Sequence, residues 1–217
     1  MAKSFSPTKL AETITEAISN SRTEYDRTNE VSLTDAPEYF LTVNCFKSIM
    51  NNYDFLFPGM EWNVKSALSD IQEKKSNGKN KPGRPAKGAR ENGRFDIALW
   101  KNGIDLWGFI ELKKGIRSKK DYKSDIERIR AVMNQANSYD YKLYGYFAFY
   151  LNREDDENGK KKAEDKIEKY IEEMYEDVEL SIKDECTTEL YKGKSARYKG
   201  DLKHKAFQPF CFVFSQK

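Results

Sequence analysis

The chain has a single histidine, His204, among 217 residues. Ser-His-Asp and Cys-His nucleophile systems, HExxH zinc sites and histidine-metal nucleases all need a histidine in a matching context. The surroundings of His204, "DLKHKAF", supply none of these, and it reads as a surface or strand-edge residue. Cysteine is almost as scarce. Cys45, Cys186 and Cys211 stand far apart with no CxxC pair, which argues against a zinc cluster or a disulfide framework. No apolar run approaches the roughly 20 residues that span a bilayer. The opening "MAKSFSPTKLAETITEAIS" lacks the unbroken apolar stretch of a signal peptide. A cytoplasmic protein with no membrane partner is expected. Neither GxxxxGK[ST] nor GxGxxG occurs, so no nucleotide cofactor is expected. Net charge is also small, +3 at pH 7, too little for a global field that would draw in a polyanion.

What the chain does have is aromatic bulk and segregated charge. Thirteen Phe and thirteen Tyr in a chain that is 38% apolar exclude disorder throughout, and the length fits one domain over residues 1–217. Between Lys74 and Arg94 eight Lys or Arg face one acid, Glu91, whereas Glu154 to Asp184 is rich in acids. Residues 73–94 hold four Gly and two Pro with no apolar residue larger than Ala, and read as an exposed, flexible basic insertion.

Ser6-Pro7 reads as the cap and first turn of a helix of about four turns, carried by Leu10, Ile14 and Ile18. "SNSRTEYDRTNEVSLT" reads as polar loop. A second helix opens at Asp35-Ala36-Pro37-Glu38, and its stripe of Tyr39, Val43, Phe46 and Met50 is expected to face the core. Trp62, Val64, Ala67 and Ile71 suggest a strand. Ser124-x-x-Glu127 has the form of a capping box, ahead of a helix through Ile126, Ile129, Met133 and Ala136. "KLYGYFAFYL" reads as a strand covered on both faces. Residues 152–217 add a long amphipathic helix on Ile167, Ile171, Met174 and Val178, then a closing strand "AFQPFCFVF". The expected fold is α/β, a mixed sheet flanked by helices.

The stretch "FDIALWKNGIDLWGFIELKK", Phe95 to Lys114, carries the chemistry. Asn102-Gly103 between two apolar runs predicts a hairpin with a two-residue turn, because both central residues must take positive φ. That turn would put Asp96 opposite Phe109 and Glu111 opposite Arg94. Strand alternation would then place Asp96, Glu111 and Lys113 on one face, with the two acids diagonal neighbours. Two carboxylates beside so much apolar surface repel each other unless a cation or an ammonium stands between them. The pattern therefore points to a divalent metal with a lysine beside it.

At Asp96 and Glu111-Leu112-Lys113 the sequence resembles the PD-(D/E)xK nuclease superfamily. It is most similar to the nuclease domain at the N-terminus of type I restriction enzyme motor subunits, where an Asp-led strand, an Asn-Gly turn and an E-L-K strand run in this order. That branch also carries Q-x-x-x-Y on the next helix, matched here by Gln135 and Tyr139, with Arg128 on the same helical face. An acid on the helix before the first core strand is matched by Glu38, with Glu12 and Glu16 as lesser candidates and an Asp35-to-Glu38 capping box as the bland alternative. Arg94-Phe95 stand where the family has a Pro before the Asp, and these 217 residues do not include the helicase of the motor subunits, as expected of a free-standing nuclease or of a fragment of something larger.

The resemblance implies a restriction-endonuclease-like sheet and a Mg²⁺-dependent deoxyribonuclease serving restriction, phage defence or DNA processing. Mn²⁺ would substitute for Mg²⁺. Asp96, Glu111 and the carbonyl of Leu112 would hold the metal; Lys113, Gln135 and Glu38 would complete the catalytic set. DNA is the expected partner, contacted by Lys81, Arg84, Lys87 and Arg94 of the basic segment and by Lys114, Arg117, Arg128 and Tyr139. "KPGRPAKG" in that segment resembles an AT-hook. A double-strand cut would call for a homodimer or a partner subunit. The alternative is a DNA-binding module that keeps the fold without cleaving.

Overall fold

The structure is a computed structural model that describes residues 5–29, 33–76, 93–157, 160–198 and 202–217. Its elements run α1 (Pro7–Asn29), α2 (Glu38–Asn52), β1 (Leu56–Asn63), α3 (Val64–Ser76), β2 (Arg94–Lys101), β3 (Asp105–Lys113), α4 (Lys123–Ser138), β4 (Tyr144–Glu154), α5 (Ala163–Ile182), β5 (Cys186–Lys192), β6 (Ala196–Arg197) and β7 (Lys205–Gln216). The seven strands form one sheet in the order β1-β2-β3-β4-β7-β5, with β6 added on β7. Only β3 and β4 pair in parallel, and α4 is the crossover that such a pair requires. This is an α/β domain with a mixed sheet flanked by helices.

The two faces carry separate cores. Leu10, Ile14 and Ile18 of α1 and Leu41, Cys45 and Ile49 of α2 pack on Ile97, Leu99, Ile110, Leu112, Tyr146 and Tyr150. On the other face Ile126, Ile129 and Met133 of α4 and Ile167, Ile171 and Met174 of α5 cover Phe109, Phe147, Phe149, Phe210 and Phe212. Because β4 and β7 are covered on both sides, they are apolar at nearly every position, as the sequence led one to expect for β4. All three cysteines are buried and free. Among the described residues no helix is long and apolar enough to cross a membrane.

Several local expectations need correction. The first helix does not stop after four turns but runs to Asn29, its polar second half held by Arg22, which pairs with Asp26 at 3.3 Å and lies over the Tyr198 ring. Ser6 does cap it, accepting the Lys9 N–H at 3.2 Å. In α2 the buried stripe is Leu41, Thr42, Cys45 and Ile49, while Tyr39 and Met50 are exposed. Two apolar lines compete on that helix, and the one turned inward shares its core with Ile97, Leu99, Ile110 and Leu112 of the sheet. Residues 64–76 are helix rather than strand, with Val64, Ala67, Leu68 and Ile71 buried at spacings of three and four. Ser124 lies inside α4, and the capping box sits on Ser118 and Asp121, at the short 3₁₀ turn before that helix.

Candidate active site

The hairpin between β2 and β3 sets the geometry. Asn102 and Gly103 take positive φ, 54° and 72°, as the turn demands. The loop nevertheless holds three residues, since Lys101 pairs with Asp105 and Ile104 N–H donates to the Lys101 carbonyl at 3.2 Å. A bulge then leaves Trp107 unpaired, with Trp100 facing Leu106 and Leu99 facing Gly108. Each irregularity moves the register by one, so Ile97 faces Ile110. Continued to the next position, this register sets Asp96 against Glu111, not against Phe109, and it removes the facing of Glu111 and Arg94.

The ladder between β2 and β3 ends at Ile97 and Ile110, while β2 continues beside β1 through Phe95 and Arg94. The strands part there, and side-chain chemistry replaces backbone pairing. Asp96 Oδ2 accepts the Leu112 N–H at 2.6 Å. Simple alternation does not deliver this position. Phe95 stacks on Phe109 in the same core that holds Ala98, so alternation is broken between residues 95 and 98, where Glu61 on β1 has a φ of 53°. Asp96 is thereby turned toward the open edge of β3. In an extended strand the N–H and C=O of one residue point the same way, so the Leu112 carbonyl is aimed at that edge too.

Glu111 is 2% exposed and projects toward α4. Arg128 donates to its Oε2 at 2.9 Å and to Asp125 Oδ1 at 2.7 Å, while Lys113 Nζ stands 3.6 Å from Asp125 Oδ2. Glu111 Oε1 is buried without a hydrogen-bond partner. Burial pushes Glu111 well above the usual carboxylate range, with Asp96 and Asp125 adding to the rise and Arg128 opposing it. Asp96 is pushed up to about 6, chiefly by burial and further by Glu38, against the pull of the Leu112 N–H and Arg128. The site therefore holds more negative charge than its cations balance. Asp125 was not singled out in the sequence, where it looked like part of a helix cap; the signal was its place three residues before Arg128, on the same face.

Glu38 does not cap its own helix. Its Oε2 accepts the Lys114 N–H at 2.8 Å, and Lys114 Nζ donates to the Ala36 carbonyl at 2.8 Å, so the start of α2 is fastened to the end of β3. Glu38 thus stands close enough to act on Asp96. Glu12 and Glu16 are exposed on α1, and Glu12 pairs with Lys9. Gln135 and Tyr139 share the side of α4 with Arg128, but at 1.5 Å per residue they lie roughly 10 and 16 Å further along the helix axis. They sit toward the end where Tyr141 donates to the Leu106 carbonyl, not over the acids. Of the expected DNA contacts, Arg94 is exposed beside Glu61, Arg117 is exposed, and Lys81, Arg84 and Lys87 lie outside the described residues. Residues 73–76 belong to α3, and Arg94 opens β2.

The chain matches no protein-family model, no curated protein and no solved structure.

The donor set has the character of a hard-cation site. Among the described residues there is no cluster of three or more acidic, histidine or cysteine groups arranged for a metal. Mg²⁺ does not need one, since it is usually held by one or two carboxylates and keeps several waters. Asp96 and Glu111, with the Leu112 carbonyl, would supply such a set, and Glu111 Oε1 is buried with no hydrogen-bond partner.

Proposed function

We propose that the chain is a Mg²⁺-dependent phosphodiester hydrolase acting on DNA, of the restriction-endonuclease-like type. One observation carries the reading: buried Glu111, with an unpartnered oxygen, and half-buried Asp96 stand where two strands of a sheet part, with a lysine two residues beyond Glu111. When bound, the cation would stabilise charge on the phosphate and acidify a water. Lys113 is about one-third exposed and only loosely held by Asp125, so its ammonium is free to orient the attacking water and to neutralise the charge that develops. Arg128 fixes Glu111 and Asp125 together, and Asp125 sets the direction of Lys113. Glu38 ties the end of β3 in place and biases Asp96. Direct attack by water needs no covalent intermediate, which agrees with the lack of any Ser, Cys or His in the set. Mn²⁺ would serve in place of Mg²⁺, because the ligands are oxygens.

A second reading, a DNA-binding module that does not cleave, is favoured by one feature: the Arg128 guanidinium already occupies one oxygen of Glu111. The two readings separate in one assay. Plasmid and linear DNA are incubated with the protein and Mg²⁺, Mn²⁺ or EDTA, alongside Asp96→Ala and Lys113→Ala. Metal-dependent cutting that both variants lose supports hydrolysis, whereas DNA binding without cutting under any metal supports the second reading.

A further inference from the structure

Beyond Lys113 the chain turns through Gly115, at a φ of 55° that glycine tolerates best, and opens a cleft of about 670 Å³ against the far end of β4. Lys113, Arg117, Tyr150, Asn152, Arg153 and Lys205 line it. That volume lies within the range of small-molecule sites, roughly 300–1,000 Å³. The acids in its wall are spent. Asp121 accepts the backbone N–H groups of Arg117 and Ser118 at 2.9 and 2.8 Å, and Glu154 pairs with Lys205 at 2.6 Å and faces His204 at 3.8 Å.

The arginines have no such partners. Arg153 Nη1 donates to the carbonyls of Ile116 and Asn152 at 3.2 and 2.9 Å, and its guanidinium lies 4.7 Å from the centre of the Tyr170 ring. It is held in place while its charge meets no carboxylate among the described residues. Arg117, exposed at the rim, forms no ion pair among them either. Arg153 is held below its usual pKa chiefly by burial and further by the Arg117 charge. Two polar atoms in the wall are also buried without partners, the Tyr150 hydroxyl and Asn152 Oδ1. Asn152 Nδ2 donates to the Tyr198 hydroxyl at 3.3 Å, which leaves Oδ1 as an acceptor in want of a donor.

We propose that this cleft seats the nucleotide next to the cleaved phosphate of a single DNA strand. Its phosphate lies between Arg117 and Arg153, and a donor of its sugar or base reaches Asn152 Oδ1. An anion alone would satisfy the guanidiniums but not the asparagine. A nucleotide unit satisfies both, and Lys113 links the cleft to the acids. The inference rests on the hydrolase reading for its place beside the cleaved bond, and on the cleft alone for its ligand.

The test is binding of a fluorescein-labelled, 5′-phosphorylated single-stranded decadeoxynucleotide to the full chain in EDTA, where no cutting occurs. Arg117→Gln and Arg153→Gln are each expected to weaken binding about tenfold, as loss of a charge-assisted contact does, while Lys183→Gln, exposed at the end of α5 and outside the cleft, does not weaken it. Thymidine 5′-monophosphate competes, and inorganic phosphate competes at least tenfold more weakly. Arg117 is exposed, so its variant folds irrespective of the outcome for Arg153. Wild-type affinity in both arginine variants overturns the proposal, and equal competition by inorganic phosphate overturns the nucleotide assignment. Cleavage in Mg²⁺ is read separately: arginine-dependent binding without cutting upholds the cleft and defeats the hydrolase reading.

Discussion

Asp96→Asn is expected to stabilise the metal-free protein. On folding, the Asp96 carboxyl moves from an ordinary value of 3.8 to about 6, chiefly because it is buried. A carboxyl raised this far costs roughly 3 kcal/mol of stability once the pH is above both values, at about 1.4 kcal/mol per pH unit. The cost is absent below the unfolded value, grows between about pH 4 and 6, and is fully present above. Asparagine removes the charge and keeps an oxygen for the Leu112 N–H. For a domain of this size each kcal/mol moves Tm by roughly 2–4 °C, so Asp96→Asn should melt roughly 6–12 °C above wild type at about pH 7.5 in EDTA. The gap should close toward about pH 4. Adding Mg²⁺ should raise the Tm of wild type and leave the variant unmoved, since only a bound ligand stabilises the native state. Melting curves from pH 4 to 8 with and without metal measure all of this. A variant no more stable than wild type at neutral pH, or an advantage that does not change with pH, refutes the electrostatic reasoning.

Arg128→Ala strips Glu111 of its one ion-pair partner among the described residues and should cost about 3–5 kcal/mol in EDTA, with most of the loss recovered in the Arg128→Ala, Glu111→Gln double variant; denaturant unfolding tests this. Lys113→Gln should lower kcat by roughly a hundredfold or more at nearly unchanged KM and leave Tm within a degree or two, because its ion pair is long and partly exposed. Gly108→Ala probes the parallel pairing of β3 and β4: a Cβ there would lie 2.8 Å from the Tyr144 carbonyl oxygen, and about 1–3 kcal/mol of destabilisation is expected in urea unfolding.

The hairpin shows what was legible and what was not. Asn102-Gly103 announced the turn and the positive φ values, because few residues other than Gly and Asn adopt them readily. The extra residue in the loop and the bulge at Trp107 have no signature in the sequence, and each moved the register by one. Glu111 and Lys113, two apart on one strand, share a face in any register, but Asp96 became opposite rather than diagonal to Glu111. Helices with one apolar stripe, such as α5 on Ile167, Ile171, Met174 and Val178, were readable from spacing. In α2 two stripes compete, and the start of that helix is fastened by Glu38 to Lys114, 76 positions away. Such long-range anchoring is invisible to periodicity. For the same reason Asp125 passed as a helix-start acid until Lys113 and Arg128 were seen on either side of it.

The central claim is that Asp96 and Glu111 form a seat for a divalent cation, and titration with Mn²⁺ followed by electron paramagnetic resonance tests it most directly. Wild type should bind about one or two ions per chain, and Asp96→Asn and Glu111→Gln should each lose at least about tenfold in affinity, as expected when a ligand to the metal is removed. Wild-type affinity retained in both variants would contradict the account.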